Sequence, residues 1–390
     1  MKKLFFISIL STLLLITACG PDEDLDPGYD LTGINYNPKT HVIFSDPDFP
    51  TVPNFPIMEI PSDNPLTVEG VYLGRMLFYD PILSADSTQS CSSCHHQENA
   101  FAEPLSVSVG IDGIAGTRNA MPLFNLGYNP NGFFWDGRSA SLEVQALEPV
   151  ENPIELHENW DNVQAKFRRS PMYREQFRKA FGIENSNEID KELAAKALSQ
   201  FMRTMVSWRS KFDKALGNAP YSGLRPVLTE QEDTGRQLFI RELGGAADTA
   251  PVSNGGNAEC QHCHQTSGLF TNNSYRNNGL DFANNFDDFV DKGFGMVTGI
   301  SADNGKFRTP SLRNIELTGP YMHDGRFETL EEVLRFYSEH IKSAPNIDSN
   351  LGNKIPGVGF SDAQIQAIIA FLKTLTDDDF INDPQFSNPF

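Results

Sequence analysis

Cysteine is scarce in this chain, positive charge is in deficit, and no apolar run is long enough to cross a bilayer comfortably. Five cysteines among 390 residues are too few for disulfides to organise the fold. Lys and Arg number 31 against 51 Asp and Glu, a net charge of −20 that repels nucleic acid and favours a basic protein partner. Runs of strictly alternating apolar and polar residues are also missing, which argues against a sheet-built fold. What remains, 39% hydrophobic and 21% charged residues, is the composition of a globular protein. A length of 390 exceeds what one hydrophobic core usually serves and predicts two domains.

The N-terminus stands apart from the rest. Lys2 and Lys3 precede the apolar stretch Leu4 to Ile16, the pattern of a secretory leader. It ends in Ile16-Thr17-Ala18-Cys19, which resembles a bacterial lipobox and predicts a leader over 1–18 and a lipid on Cys19. An ordinary secretory signal with an incidental cysteine is the rival reading. Loss of the two leader lysines leaves 29 basic and 51 acidic residues, a net −22. Residues 19–64 read as a flexible tether followed by an extended, proline-rich strap. The chain is therefore expected as an exported bacterial lipoprotein, anchored to a membrane through Cys19 on the periplasmic side.

The second half repeats the first. Gly74-Arg75-Met76-Leu77-Phe78 answers Gly235-Arg236-Gln237-Leu238-Phe239, and each block precedes a Cys-x-x-Cys-His motif. Downstream, Asp136-Gly137-Arg138 answers Asp324-Gly325-Arg326, and Phe201-Met202-Arg203 answers Phe371-Leu372-Lys373. The offsets are 169 residues for the cysteine motifs, 188 for the Asp-Gly-Arg blocks and 170 for the last pair. Matching elements in one order, with loop-sized differences in spacing, indicate a duplicated domain.

The repeated elements read as helices. Thr229 with Glu232, and Ser361 with Gln364, form capping-box patterns. Ile365, Ile368, Ile369 and Leu372 then fall on one helical face. Glu192 to Leu216 reads as one longer helix closing the first domain, and the glycine- and proline-containing stretch near Gly217 to Pro226 as a linker.

The chemistry lies in Cys91-Ser92-Ser93-Cys94-His95 and Cys260-Gln261-His262-Cys263-His264. Each places two thiols one turn apart, where they can form thioethers with both vinyl groups of one haem, and the histidine after them supplies an imidazole to the iron. His95 and His264 are thus proximal-ligand candidates. A zinc site built from the two Cys-x-x-Cys pairs is the rival, but it normally needs a much shorter gap. One cysteine for lipid and two pairs for haem leave no odd thiol. The group opposite each imidazole decides between electron transfer and chemistry, because an iron with an open face can admit peroxide. Spacing alone does not choose that group among the remaining His, Met and Tyr residues.

Residues from about Phe55 to Leu375 resemble the bacterial dihaem cytochrome c peroxidase and MauG superfamily. The resemblance rests on CSSCH, RNAMPLFN, FFWDGRSASLEVQALEPVENPIEL, CQHCH and FRTPSLRNIELTGPYMHDGRFETLEEV, and on their order. It implies an all-α fold of two cytochrome c-like domains, each around one covalently bound c-type haem. A peroxide-reacting haem would sit in residues 65–218 and an electron-transfer haem in 225–380. The family's catalytic trio falls on Trp135, Gln145 and Glu155, spaced ten residues apart. The resemblance gives Glu155 the acid–base role, Gln145 the orientation of peroxide, and Trp135 the passage of electrons between haems.

Two departures from the family pattern sharpen these expectations. Many members carry a histidine that caps the first haem until reduction dislodges it; here Ile111 stands there and cannot ligate iron. An open first haem is expected, with His41 or His157 as rival ligands from elsewhere. On the second haem, Tyr337 stands where the typical peroxidase has methionine and MauG has tyrosine, with Met296 or Met322 as alternatives. The resemblance further implies a calcium ion held by Asn119, Thr318 and Pro320, and leaves room for a homodimer. The implied activity is reduction of hydrogen peroxide by a small periplasmic cytochrome c or cupredoxin. The alternatives are a MauG-like oxidase that modifies a partner protein, and a non-catalytic electron carrier.

Overall fold

The computed structural model describes residues 28–43, 55–216, 227–240, 259–266 and 268–390. The leader, Cys19 and the expected linker at 217–226 lie outside the described residues. Among the described residues twelve helices follow one another: α1 Val68–Tyr79, α2 Leu142–Glu151, α3 Trp160–Arg169, α4 Pro171–Phe181, α5 Lys191–Thr204, α6 Lys211–Leu216, α7 Glu230–Ile240, α8 Gly295–Thr298, α9 Leu330–Glu339, α10 Ser349–Gly352, α11 Asp362–Lys373 and α12 Asp378–Ile381. Two-residue strands, β1 Tyr275–Arg276 and β2 Phe307–Arg308, pair antiparallel with Tyr275 opposite Arg308. The fold is helical, and no described helix is long and apolar enough to cross a membrane.

Side-chain caps start the helices, at α7 and α11 where the sequence predicts. The Thr67 side chain accepts from Gly70 N–H to open α1, and Ser361 with Gln364 closes a reciprocal box at α11. Thr229 and Glu232 exchange the same pair of bonds before α7, at 2.7 and 3.3 Å.

The repeat is visible in packing. Gly74 of α1 lies against the carbonyl oxygen of Ala197 on α5, and Gly235 of α7 lies against that of Ala367 on α11, both closer than a Cβ would permit. Helix backbones can meet that closely only where glycine leaves the space. Phe78 meets Phe201 at 5.5 Å between ring centroids, and its counterpart Phe239 meets Phe371 at 5.3 Å. Each crossing nucleates its own hydrophobic cluster: Leu73, Leu77, Phe101, Phe167 and Phe177 join the first, and Phe212, Phe270, Ile365 and Ile368 the second.

Two features differ from the sequence reading. The helix expected over 192–216 is two helices, α5 and α6, separated by non-helical backbone at 205–209. Side chains from elsewhere satisfy that stretch: Ser207 N–H donates to Asn125 Oδ1, and the Trp208 and Arg209 N–H groups donate to Asp377 Oδ2. These bonds replace the helical ones. The expected boundary at 380 falls inside a docked segment, since Phe380 and Phe386 belong to the first cluster and pack on Phe101. Arg75 donates to the carbonyls of Pro384 and Ser387, and the Tyr79 hydroxyl to that of Phe386. At the other end, residues 28–43 run along the first half, bridging Asp30 to Asn185 and Thr40 to Thr67, and Leu31 enters its core.

Candidate haem and catalytic site

Each Cys-x-x-Cys-His motif forms a tight turn at the wall of a cavity. Cys91–Ser93 and Cys260–His262 are 3₁₀ turns, closed by His95 N–H to Cys91 O at 3.1 Å and His264 N–H to Cys260 O at 2.8 Å. The first cavity measures about 550 Å³ and takes Cys91, Cys94 and His95 into its lining; the second, about 220 Å³, takes Cys260, Cys263 and His264.

The donors suit a covalently held haem. His95 Nδ1 is bonded to Phe101 O at 2.9 Å and His264 Nδ1 to Pro310 O at 3.1 Å, which fixes each ring and leaves Nε2 for a metal. Burial drives both imidazoles down to about 4, so they are neutral and ligand-competent at physiological pH. Burial also pushes the Cys91 and Cys260 thiols up to about 12, so neither is a thiolate ready to seize a soft metal. Among the described residues no cluster of three or more His, Cys, Asp or Glu side chains could hold a metal.

Trp135, Gln145 and Glu155 all line the first cavity. Gln145 projects from α2 together with Ala146, Pro149 and Val150, one face of the helix. Its Oε1 is buried and has no hydrogen-bond partner among the described residues, an acceptor aimed at an occupant. Asn152 caps α2 and turns the chain: its carbonyl accepts from Glu155 N–H at 3.0 Å, and its Nδ2 donates to Glu155 Oε1 at 2.6 Å. This turn swings Glu155 back into the cavity. Burial raises the Glu155 pKa above the ordinary carboxylate value; the Asn152 bond and the Arg138 charge pull the other way.

Trp135 is buried and lines both cavities. Its Nε1 donates to Asn119 O at 2.9 Å, while Asn119 N–H donates to His323 O at 2.8 Å, tying the two halves together at this point. Arg118 adds a clasp, donating to Asp136 at 2.6 Å and to Asp291 at 2.8 Å.

Ile111 does not line the first cavity; its N–H donates to Glu155 O at 3.0 Å. The rival ligands are elsewhere. His157 pairs with Asp112 on the surface, and neither it nor His41 lines the cavity. Two methionines that sequence reasoning overlooked, Met121 and Met202, do line it. In the second cavity, Leu330, Leu334 and Tyr337 share the wall-facing side of α9. Met322 is there too, and Asn278 Nδ2 reaches both Tyr337 Oη at 3.1 Å and Met322 Sδ at 3.6 Å. Met296 is 70% exposed and lines neither cavity, so it drops out as a ligand. Asn119 and Thr318 are buried, and the Asn119 carbonyl is the one taken by Trp135. The sequence reading also missed Arg308 and Asn152; only Asp136 had a signal, as the first residue of a repeated Asp-Gly-Arg block.

A helical fold with two cavities, each bearing a Cys-x-x-Cys-His turn and the first also a half-buried glutamate, defines a dihaem c-type cytochrome with a catalytic face. Residues 68–220 match the family model described as di-haem cytochrome c peroxidase. The methylamine utilization protein MauG of Methylorubrum extorquens is 34% identical over 81% of this chain and 80% of its own length. The cytochrome c551 peroxidase of Nitrosomonas europaea is 33% identical over 86% of this chain and 87% of its own. A crystal structure of a MauG-like protein associated with microbial copper homeostasis superposes with a TM-score of 0.73 at 35% identity, covering 86% of this chain and 97% of that one. This chain belongs to the dihaem cytochrome c peroxidase and MauG family.

Proposed function

We propose that the protein reduces hydrogen peroxide to water, drawing electrons from a small cytochrome c or cupredoxin. The observation that carries this reading is Glu155, which shares a cavity with His95 and whose proton affinity burial raises. Two covalent c-type haems, when bound, supply the irons at which peroxide is cleaved and electrons are stored. The net reaction takes two electrons and two protons per peroxide and yields two waters. Glu155 moves a proton from one peroxide oxygen to the other, so that water rather than hydroxide departs. A carboxyl lifted toward neutrality is suited to both halves of that transfer. Gln145 Oε1 accepts a hydrogen bond from peroxide and fixes its orientation, and Trp135 lies on the electron path between the cavities.

Residues 65–218 would then hold the peroxidatic haem and 225–380 the electron-transfer haem. With Ile111 outside the cavity, His95 would hold the first haem and leave its other face free for peroxide in the resting oxidised protein. Met121 is turned toward Arg308 at 3.5 Å, and Met202 is packed into α5. Tyr337 would help hold the iron of the second haem, with Met322 as its competitor. A calcium ion at Asn119, Thr318 and Pro320 and a lipid anchor on Cys19 complete the proposal. The position of Tyr337 on the second wall also favours a second reading, a MauG-like oxidase acting on a partner protein.

Peroxide turnover by the as-isolated oxidised protein with reduced cytochrome c tests the first reading. A wild-type rate no greater than that of Glu155→Gln would refute it.

A further inference from the structure

The cationic side chains around the two cavities are paired with carboxylates, with one exception. Arg118 is held by Asp136 and Asp291, Arg138 by Glu148 and Asp136, Arg276 by Asp348, and Lys354 by Glu259. Arg308 has no carboxylate partner among the described residues. It lines both cavities and is 7% exposed. Its main chain is fixed, with the N–H donating to Trp135 O at 2.8 Å and the residue paired opposite Tyr275 in the small sheet. Its guanidinium is left with little to do: Nη2 reaches only the weak acceptor Met121 Sδ at 3.5 Å, and buried Nε has no partner.

A buried cation without a counter-charge is costly enough that folded proteins rarely keep one. The same burial brings the Arg308 pKa down to about 10, in line with a charge that lacks compensation. Five donors in a planar fork match a carboxylate best. Each haem brings two carboxylates, its propionates, into a cavity whose wall contains this side chain.

We propose that Arg308 is the counter-ion of a haem propionate at the wall between the two cavities, and that its charge raises the reduction potential of that haem. The inference rests on haem filling the cavities and not on peroxide being the substrate. Reduction adds negative charge to a haem, so a fixed cation beside its propionate favours the reduced form. Arg308 is a positioning residue here. It touches the cofactor's edge and not the reacting atoms.

Spectroelectrochemical titration of the full holoprotein, resolving both haems, reads this out. Arg308→Met should lower the midpoint potential of the paired haem, and Arg308→Lys, which keeps the charge, should retain most of it. Whichever haem shifts is the one whose propionate is bound. Unchanged potentials for both haems in an Arg308→Met protein with full haem content would overturn the proposal. A crystal structure of the wild-type holoprotein decides the matter even if that variant does not assemble. The guanidinium should lie within about 3 Å of a propionate oxygen, and a guanidinium bonded to some other group would equally overturn it.

Discussion

Trp135 and His323 occupy the same position in two copies of one turn. Phe133 N–H bonds to Ser139 O and Tyr321 N–H to Phe327 O, each at 2.8 Å, and the residues preceding the pair, Phe134 and Met322, have φ of +64° and +73°. Asn119 holds both copies, its carbonyl taking the Trp135 indole and its N–H giving to the His323 carbonyl. The copies are not equivalent in reach. Trp135 lines both cavities, whereas His323 lines only the second and stacks on Phe307 at 3.7 Å.

That difference predicts separate effects for the two residues. Trp135→Phe should slow donor-dependent turnover at least tenfold, a barrier increase of roughly 1.4 kcal/mol. Its cost in stability should be only about 1 kcal/mol for the lost hydrogen bond. His323→Phe should leave turnover within about threefold of wild type, under roughly 0.7 kcal/mol. Steady-state kinetics beside chemical denaturation separates the outcomes, and equal losses in both variants would remove Trp135 from the electron path.

Glu155→Gln keeps the side-chain shape and removes the proton carrier. Loss of general acid–base catalysis should lower kcat/KM for peroxide by about 10²–10⁴-fold. Asn152→Ala should give a smaller loss, because it frees Glu155 from its turn without removing the carboxyl. If Glu155→Gln turned over at the wild-type rate, the cavity would have another acid.

The pH profile follows from the direction of the Glu155 shift. Burial raises this pKa and the Arg138 charge lowers it, so Arg138→Gln should move the acid limb of kcat/KM to higher pH. Stability carries the same sign. A carboxyl whose folded pKa is raised contributes stability at low pH that is lost as pH rises through that value. Glu155→Gln, neutral throughout, should therefore match wild type in acid and exceed it in Tm above the folded pKa of Glu155. A Tm advantage that shrinks with rising pH would contradict the assigned shift.

Much of this site is legible in sequence because its signals are local. A Cys-x-x-Cys-His turn, a Thr or Ser cap with Glu or Gln three residues on, and a repeated Gly-Arg-x-Leu-Phe block each declare themselves within a few residues. Asp377 does not: it lies 168 residues from Arg209, yet its carboxylate helps end the long helix expected at 192–216. Phe386, with Phe380, likewise enters a core whose remaining buried members come from residues 31–205. Arg308 is the clearest case. Nothing in Phe-Arg-Thr-Pro marks its guanidinium as unpaired, because that property depends on which carboxylates the fold brings near.

Tyr337 lines the second cavity together with His264, and burial raises the phenol above its ordinary pKa. Ionising it there needs a strong cation close by, and ferric iron is one. Tyr337→Met should exchange an anionic oxygen for a neutral thioether, altering the visible spectrum and raising the potential of the second haem. An unchanged spectrum would assign the position to Met322 or leave that face open.

The glycine crossings give the most direct test of the duplicated architecture. A methyl group at Gly74 would strike the Ala197 carbonyl, and one at Gly235 the Ala367 carbonyl; in both cases the obstacle is helix backbone and cannot rotate away. Gly74→Ala and Gly235→Ala should each destabilise by about 1–3 kcal/mol, the range for overpacking a core. Gly33 is the control, because a Cβ there meets nothing within 4 Å. Gly33→Ala should be neutral or stabilise by about 0.4–1 kcal/mol through the unfolded chain. Denaturant midpoints for the three variants decide it. If Gly74→Ala and Gly235→Ala behaved like Gly33→Ala, the helices would not cross where the repeat places them.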